Sequence, residues 1–418
     1  MIVDINRLKE ILDNGTKEEL LSFAERNNLV IENGVLKYTK TVDAVETVGY
    51  WDRRQGSTKI LLNGLYGATL NEYCRFFDRR IAQSTTLSGR VITRHMISHV
   101  NLCLTGEYDH HGAAGIYSDT DSAMFSAWPI IKAEVESGKM TWNRDVAVQI
   151  YDEIAAQVNA SFPELCANAF HAPEQNGKII RCGREFVGER GLYIKKKRYA
   201  VLIYDAEGTR VDLLPKSEAD KKGIIFGEGK LKVTGLDLRR SDTPKVVQKF
   251  LKDILIDLLT GKGSQDIVDK INNFKENEFC KLPPWEKGSP KKVNNLTKFG
   301  DMLKNNGKAN MPGHVRAALN WNLLREINND KFAMEIVDGM KIVVCKLRPN
   351  PMNFTSICYP TDELRLPEWF KSLPFDESLM ETTIVDKKID NLLGILKWDL
   401  EHRTSSQREI LEELFVFD

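Results

Sequence analysis

Two aspartates, Asp119 and Asp121, stand one residue apart in AGIYSDTDSAMFS (residues 114–126), with Ile116 and Tyr117 before them and Met124 and Phe125 after. Aspartate is a poor strand former, so an acidic pair inside a strand-like run needs a compensating role. On an extended chain, residues two apart project to one face, about 7 Å apart at the backbone. A turn brings their carboxylates together. Two ionised carboxylates that close repel unless a cation lies between them. Mg²⁺ takes oxygen ligands together with substrate phosphates, and paired metals about 3.5–4 Å apart serve in-line phosphoryl transfer. The plainer reading of the pair alone is a solvated turn. Its surroundings favour the metal.

Upstream, KILLNGLYGA (residues 59–68) places Lys59, Asn63 and Tyr66 at i, i+4 and i+7, one face of a helix. That face offers a cation for phosphates, an amide and an aromatic hydroxyl. Downstream, YIKKKRYA (193–200) reads as basic residues ended by an aromatic on a strand, and GLDLRRSDTPK (235–245) adds two arginines. A solvated charge run is the competing reading of the lysines, and the interleaved aromatics argue for nucleic acid instead. Other groups weigh less. His95 and His99 in RHMISH are four apart but lack the glutamate of HExxH and read as helix surface; His110 and His111 read as loop.

The elements that must hold these residues read as follows. Residues 5–27 form two short helices with Asn14 or Thr16 as cap, and LVI and VLKY form a small hairpin around the ENG turn at 32–34. Residues 41–105 are helical, interrupted near Gly56 and Gly67. A hairpin surrounds the aspartates at 112–128, and helices follow at 128–136 and 143–168. Alternating β-branched and aromatic residues from 177 to 214 read as strands, KSEADKKG as a polar loop, and residues from 243 as mostly helix with a loop at 281–292. The class is α+β, with a boundary near 235–243.

At 418 residues the chain is long enough for two or three packed units. Lys plus Arg and Asp plus Glu number 59 each. A net charge of zero does not exclude a nucleic-acid partner, which reads local patches. The seven cysteines form no CxxC pair, which argues against a disulfide framework or a cysteine zinc site and for a reducing, cytoplasmic setting. The first residues thread charges through their apolar positions, unlike a signal peptide. No apolar run approaches the ~20 residues of a membrane span.

Taken in order, these segments resemble family B DNA polymerases, and within them the T-even-like phage replicative branch, from about residue 45 onward. KILLNGLYG is similar to motif B (K-x3-N-x2-YG), YSDTDS to motif C (Y-x-DTDS), KKRY to the KKxY strand and GLDLRRSDTP to the entrance of the thumb. Four motifs in the family's order make a specific signal. The resemblance implies a palm of antiparallel sheet and helices, partial helical fingers and a mostly helical thumb. It divides the chain into an N-terminal segment (1–40, a fingers tip or partner-docking piece), a second fingers helix (41–70), palm (71–235), thumb (236–410) and a clamp-binding tail (411–418).

The same resemblance implies the roles. Asp119 and Asp121 are metal ligands for two Mg²⁺, with Asp121 the less dispensable. Lys59 binds the incoming dNTP and neutralises the leaving pyrophosphate, while Asn63 and Tyr66 close over the nascent base pair. Lys196, Lys197, Arg198 and Tyr199 follow the minor groove of the primer–template DNA, where acceptors are nearly common to all base pairs. Arg239 and Arg240 contact phosphates, which positions without specifying. Leu414, Phe415 and Phe417 anchor a sliding clamp or, on their own merits, dock on the chain's own domain. Glu185 is a further acidic residue placed near the metals.

The family's motif A (DxxSLYPS), source of a third aspartate, precedes motif B, and nothing before Lys59 resembles it; the exonuclease is absent too. NPMNFTSICYPTDE (350–363) echoes motif A but carries Asn353 in place of the ligand aspartate and follows the thumb entrance. Asp205 and Glu207 echo an exonuclease DxE but follow the KKRY segment directly; both read as structural. The expectation is therefore the C-terminal subunit of a split polymerase, inactive until a partner with motif A and the 3′–5′ exonuclease completes the site, and soluble in a host cytoplasm. The alternative is a non-catalytic DNA- and clamp-binding accessory or an inactive remnant. The neighbouring reading frame would separate them.

Overall fold

The computed structural model describes residues 5–27, 29–32, 35–38, 41–306, 310–396 and 398. The tail carrying Leu414, Phe415 and Phe417, and the turn residues Asn33 and Gly34, lie outside the described residues. The chain divides into two compact units, residues 1–92 and residues 93–418.

In the first unit, α1 (Ile5–Asn14) and α2 (Lys17–Arg26) form a helical hairpin followed by the antiparallel pair β1 (Leu29–Glu32) and β2 (Val35–Tyr38). Thr16 caps α2 reciprocally. Its N–H donates to Glu19 Oε2 at 2.9 Å, and the Glu19 N–H donates to Thr16 Oγ1 at 3.3 Å, a capping box. Ile11, Phe23, Ala24 and Leu29 make its small core. The helix α3 (Thr41–Leu70) then runs without a break through Gly56 and Gly67, where the sequence suggested interruptions. Both glycines keep helical backbone signs and would admit a Cβ without contact. A glycine inside a helix costs about 1 kcal/mol relative to alanine but does not end it. The chain breaks instead at residues 71–78, before α4 (Arg79–Thr105).

The second unit opens with the hairpin β3 (Gly115–Asp119) and β4 (Ser122–Phe125), then α5 (Trp128–Glu136), α6 (Arg144–Phe170) and α7 (Glu174–Gly177). A four-stranded sheet follows: β5 (Phe186–Lys195), β6 (Arg198–Ala206) and β7 (Thr209–Arg210), then α8 (Lys216–Lys222) and β8 (Lys230–Thr234), which pairs with β6. KSEADKKG is thus a helix rather than a loop. Pro215 precedes it, lysines fill its last turn and Gly223 ends it at φ 63, the usual asymmetry of helix ends.

Beyond it lie α9 (Lys245–Leu259), α10 (Ser264–Asn273), β9 (Ser289–Lys292), α11 (Leu296–Asn306), α12 (Gly313–Ile327), β10 (Lys341–Lys346), β11 (Ser356–Pro360) and the short α13 (Glu368–Lys371), α14 (Glu377–Glu381) and α15 (Lys387–Leu393). The segment expected as a loop at 281–292 supplies β9, an edge strand in the sheet β11–β10–β9. An edge accepts Pro290, which has no N–H to give. Every strand pair is antiparallel. Helices mixed with antiparallel sheets make the class α+β.

The strand β6 explains how the second unit is layered. Its even residues Ala200 and Leu202 join the large core made with α9, α10, α12 and β11. Its odd residues Tyr199, Val201 and Ile203 pack against Tyr117 and Met124 of the β3–β4 hairpin. Period-2 alternation on one strand therefore sets a helical core on one face and the acidic hairpin on the other. The helix α9 buries Val247, Phe250, Leu251, Ile254 and Leu255 at the spacing of a single helical stripe.

Candidate functional site: an acidic turn beside a basic turn

The two aspartates flank Thr120 at the tip of the β3–β4 hairpin, where Asp119 pairs with Ser122. Thr120 has φ 55, a left-handed backbone that a β-branched residue avoids at a cost of about 1–2 kcal/mol. Local bonds hold it. The Asp121 N–H donates to the Asp119 carbonyl at 2.7 Å, Ser122 Oγ donates to the same carbonyl at 3.1 Å, and Thr120 Oγ1 donates to Asp119 Oδ1 at 3.2 Å. The carboxylate of Asp121 is exposed and makes no hydrogen bond or ion pair among the described residues. No group of three or more His, Cys, Asp or Glu placed to hold a metal occurs among those residues. Two hard oxygen donors with one carboxylate unengaged suit Mg²⁺ that shares its other ligands with phosphates and water.

KKRY is not a continuous strand. Lys196 and Lys197 are the turn between β5 and β6, with Lys195 opposite Arg198 and Lys197 at φ 60. This basic turn meets the acidic hairpin. The Lys197 N–H donates to the Tyr117 hydroxyl at 2.9 Å, and Lys197 Nζ lies 3.5 Å from Asp119 Oδ2. Tyr199 faces inward, 8% exposed, with its ring 5.8 Å from Tyr117 and 5.5 Å from Tyr193. Burial pushes the Tyr193 phenol up to about 12, and its hydroxyl donates to Met124 Sδ at 3.5 Å. The three tyrosines form a pad beneath both turns.

Gly235, in the GLDLRR segment, holds the basic turn from the other side. Its φ is 63, and a Cβ there would stand 2.0 Å from the Lys197 carbonyl oxygen. Only glycine admits that approach. Just beyond, Asp237 is a buried hub. Its carboxylate lies 3.5 Å from Arg198 Nη2, 3.8 Å from Arg240 Nε and 4.0 Å from Lys388 Nζ. Arg240 is also paired to Asp242 at 3.1 Å, as is Lys291 at 2.9 Å. Burial works against the Asp242 charge, but bonds to Lys291 and Arg240 hold its carboxyl below the usual range. Arg239 and most of Arg240 remain exposed, while Arg198 is largely covered.

Glu185 belongs elsewhere. It precedes β5 at the end opposite the Lys196–Lys197 turn, a ten-residue strand away, about 30 Å of extended chain, and it pairs with Lys232 at 2.5 Å. The echo of motif A is a core strand: Ile357 and Cys358 of β11 are fully buried. Asp205, 1% exposed, pairs with Arg184 and accepts the Gly208 N–H at 3.1 Å in the β6–β7 turn. His95 is not helix surface. It is buried, with Nδ1 2.7 Å from Tyr108 Oη and Nε2 2.7 Å from Ser161 Oγ, and burial lowers its pKa, with the neighbouring His99 adding to the effect.

In the first unit, Lys59, Asn63 and Tyr66 are exposed along α3, with Ile60, Leu61, Leu62 and Leu65 exposed around them. The Tyr66 hydroxyl lies 2.8 Å from Thr86 Oγ1 on α4. No helix among the described residues is long and apolar enough to cross a membrane.

Residues 36–165 match DNA polymerase family B. The chain is 31% identical over 320 residues to the DNA-directed DNA polymerase of Escherichia phage RB69, covering 73% of this chain and 33% of that protein. It is 28% identical over 335 residues to the DNA-directed DNA polymerase of Enterobacteria phage T4, covering 76% and 34%. Against DNA polymerase II of Escherichia coli K12 the identity is 25% over 276 residues, covering 64% and 29%. The chain spans about a third of the length of these phage relatives.

Proposed function

Given that the chain carries a family B DNA polymerase domain, we propose that it works in template-directed DNA synthesis, holding the nucleotide, the metal ligands and the primer–template duplex. The observation that carries this reading is the meeting of the two turns: Lys197 Nζ 3.5 Å from Asp119, with the Lys197 N–H on Tyr117. A duplex seated on the basic turn would bring its primer end to the acidic one.

Asp121, whose carboxylate is unengaged, is the ligand on which the chemistry depends, and Asp119 is shared between the metal and Lys197. Magnesium bound there would supply charge neutralisation for a nucleotidyl transfer. Lys59 offers its ammonium to the triphosphate, and Asn63 and Tyr66 the face that closes on the base pair. Lys196 and Lys197 meet the minor groove, with Arg198 and Tyr199 bracing the turn from below. Arg239 and Arg240 take backbone phosphates. A third carboxylate, from polypeptide bearing DxxSLYPS, would complete the site, since among the described residues two acidic side chains, Asp119 and Asp121, gather at this turn.

Primer extension tests this. The chain alone should extend no primer, and mixing with a chain carrying motif A should restore extension and give a one-to-one complex on size exclusion. Asp121→Asn should abolish that restored activity while primer–template affinity stays within about twofold. Unimpaired extension by Asp121→Asn would overturn the metal assignment; extension by the unmixed chain would overturn the need for a partner.

A further inference from the structure

Thr93, on α4 and 27 residues before the acidic turn, donates its hydroxyl to the Thr120 carbonyl at 2.8 Å. Thr120 is the residue at φ 55 between the two aspartates. The other hydrogen bonds at that turn run within the hairpin, among Asp119, Thr120, Asp121 and Ser122, and Lys197 pairs with the Asp119 carboxylate, so the Thr93 bond ties the backbone between the two aspartates to α4. About 12 Å further along the helix, Asn101 is fully buried and grips the hairpin's foot. Its Nδ2 donates to the Asp109 carbonyl at 2.8 Å, and its Oδ1 accepts the Ala114 N–H at 3.0 Å. The helix itself is fixed by His95, bonded on both ring nitrogens. The helix α4 therefore holds the hairpin at tip and foot.

We infer that Thr93 is a positioning residue for the carboxylate pair: it fixes the peptide between Asp119 and Asp121 and so the directions in which the two side chains leave the backbone. This rests on the metal-binding reading of the pair. A left-handed threonine is a strained conformation that persists only where surroundings over-determine it. The Thr93 hydroxyl holds the Thr120 peptide itself from outside the hairpin, whereas Lys197 reaches only the Asp119 side chain; without the Thr93 bond the turn can relax and the carboxylates diverge. Core packing alone would need only the shape of the side chain, which valine supplies.

The test compares Thr93→Val, which keeps the shape, with Thr93→Ser, which keeps the hydroxyl. Amide hydrogen exchange at residues 120–122 and Mn²⁺ affinity, read by electron paramagnetic resonance, are measured on the purified chain beside Asp121→Asn. Thr93→Val should speed exchange at the turn about tenfold and weaken Mn²⁺ binding at least threefold, and Thr93→Ser should restore both. Unchanged exchange in Thr93→Val, or no recovery in Thr93→Ser, would reduce Thr93 to packing. If Asp121→Asn weakens Mn²⁺ binding and Thr93→Val does not, the positioning role fails while the metal site stands. If neither variant changes it, the metal reading fails and takes this inference with it.

Discussion

Asp119 and Asp121 share a motif but not an environment. The first is engaged by Thr120 Oγ1 and Lys197; the second is exposed with its carboxylate unengaged. The same contact defines what Lys197 can do. Its side chain is 62% exposed, so its pairing with Asp119 is worth about 0–1 kcal/mol at most and is easily exchanged for a phosphate or groove contact. Lys197→Ala should therefore leave the unfolding midpoint nearly unchanged. It should weaken binding to all primer–template sequences alike and lower the slope of log Kd against log salt by about one, the release expected from one lost cation. Fluorescence anisotropy across a potassium chloride series reads both. A loss confined to particular template sequences would contradict a groove contact that checks geometry.

At the scale of elements, the acidic hairpin, the basic turn and the β8 corner interlock through side-chain packing, one backbone-to-tyrosine bond and one close backbone approach. The hairpin leans on the odd face of β6, the basic turn gives its N–H to Tyr117, and Gly235 lets the end of β8 pass against the Lys197 carbonyl. Gly235→Ala puts a Cβ into that carbonyl at a backbone angle alanine resists. It should cost roughly 1–3 kcal/mol of stability, seen as a lower urea midpoint, and should weaken DNA binding as the turn is pushed away. Gly67→Ala, in open space on α3, is the control and should be neutral or slightly stabilising. Equal effects of the two substitutions would show that the close approach does not matter.

Across the whole molecule, the largest core draws on residues from Leu192 in β5 to Leu393 in α15. Trp398 still packs against it at the last described residue. The tail beyond, with Leu414, Phe415 and Phe417, is proposed to tether a sliding clamp. Deleting residues 411–418 should leave extension of short primers by the assembled enzyme intact and remove its stimulation by a clamp, because a tether acts through effective concentration and not through chemistry. A clamp response that survives the deletion would assign the tail to the chain's own fold.

What the sequence determined by itself is whatever is written locally. The Asp119–Asp121 pair, the Lys59–Asn63–Tyr66 face, the basic run and the arginines Arg239 and Arg240 were all legible as patterns, because a motif is a short spacing of residue types. So were the capped helices α1 and α2 and the hairpin around the aspartates, whose periods and caps lie within a few residues of each other. Tertiary structure alone decided the rest. It made Lys196 and Lys197 a turn, sent Tyr199 inward, buried His95, joined Thr93 to Thr120 across 27 residues and seated Gly235 on Lys197. It also removed Glu185 to the far end of β5. Such contacts leave no periodic trace, because a hydrogen bond or a close backbone approach between distant residues depends on where packing brings them. Packing is settled by the burial of many apolar side chains at once, not by the two residues that happen to touch.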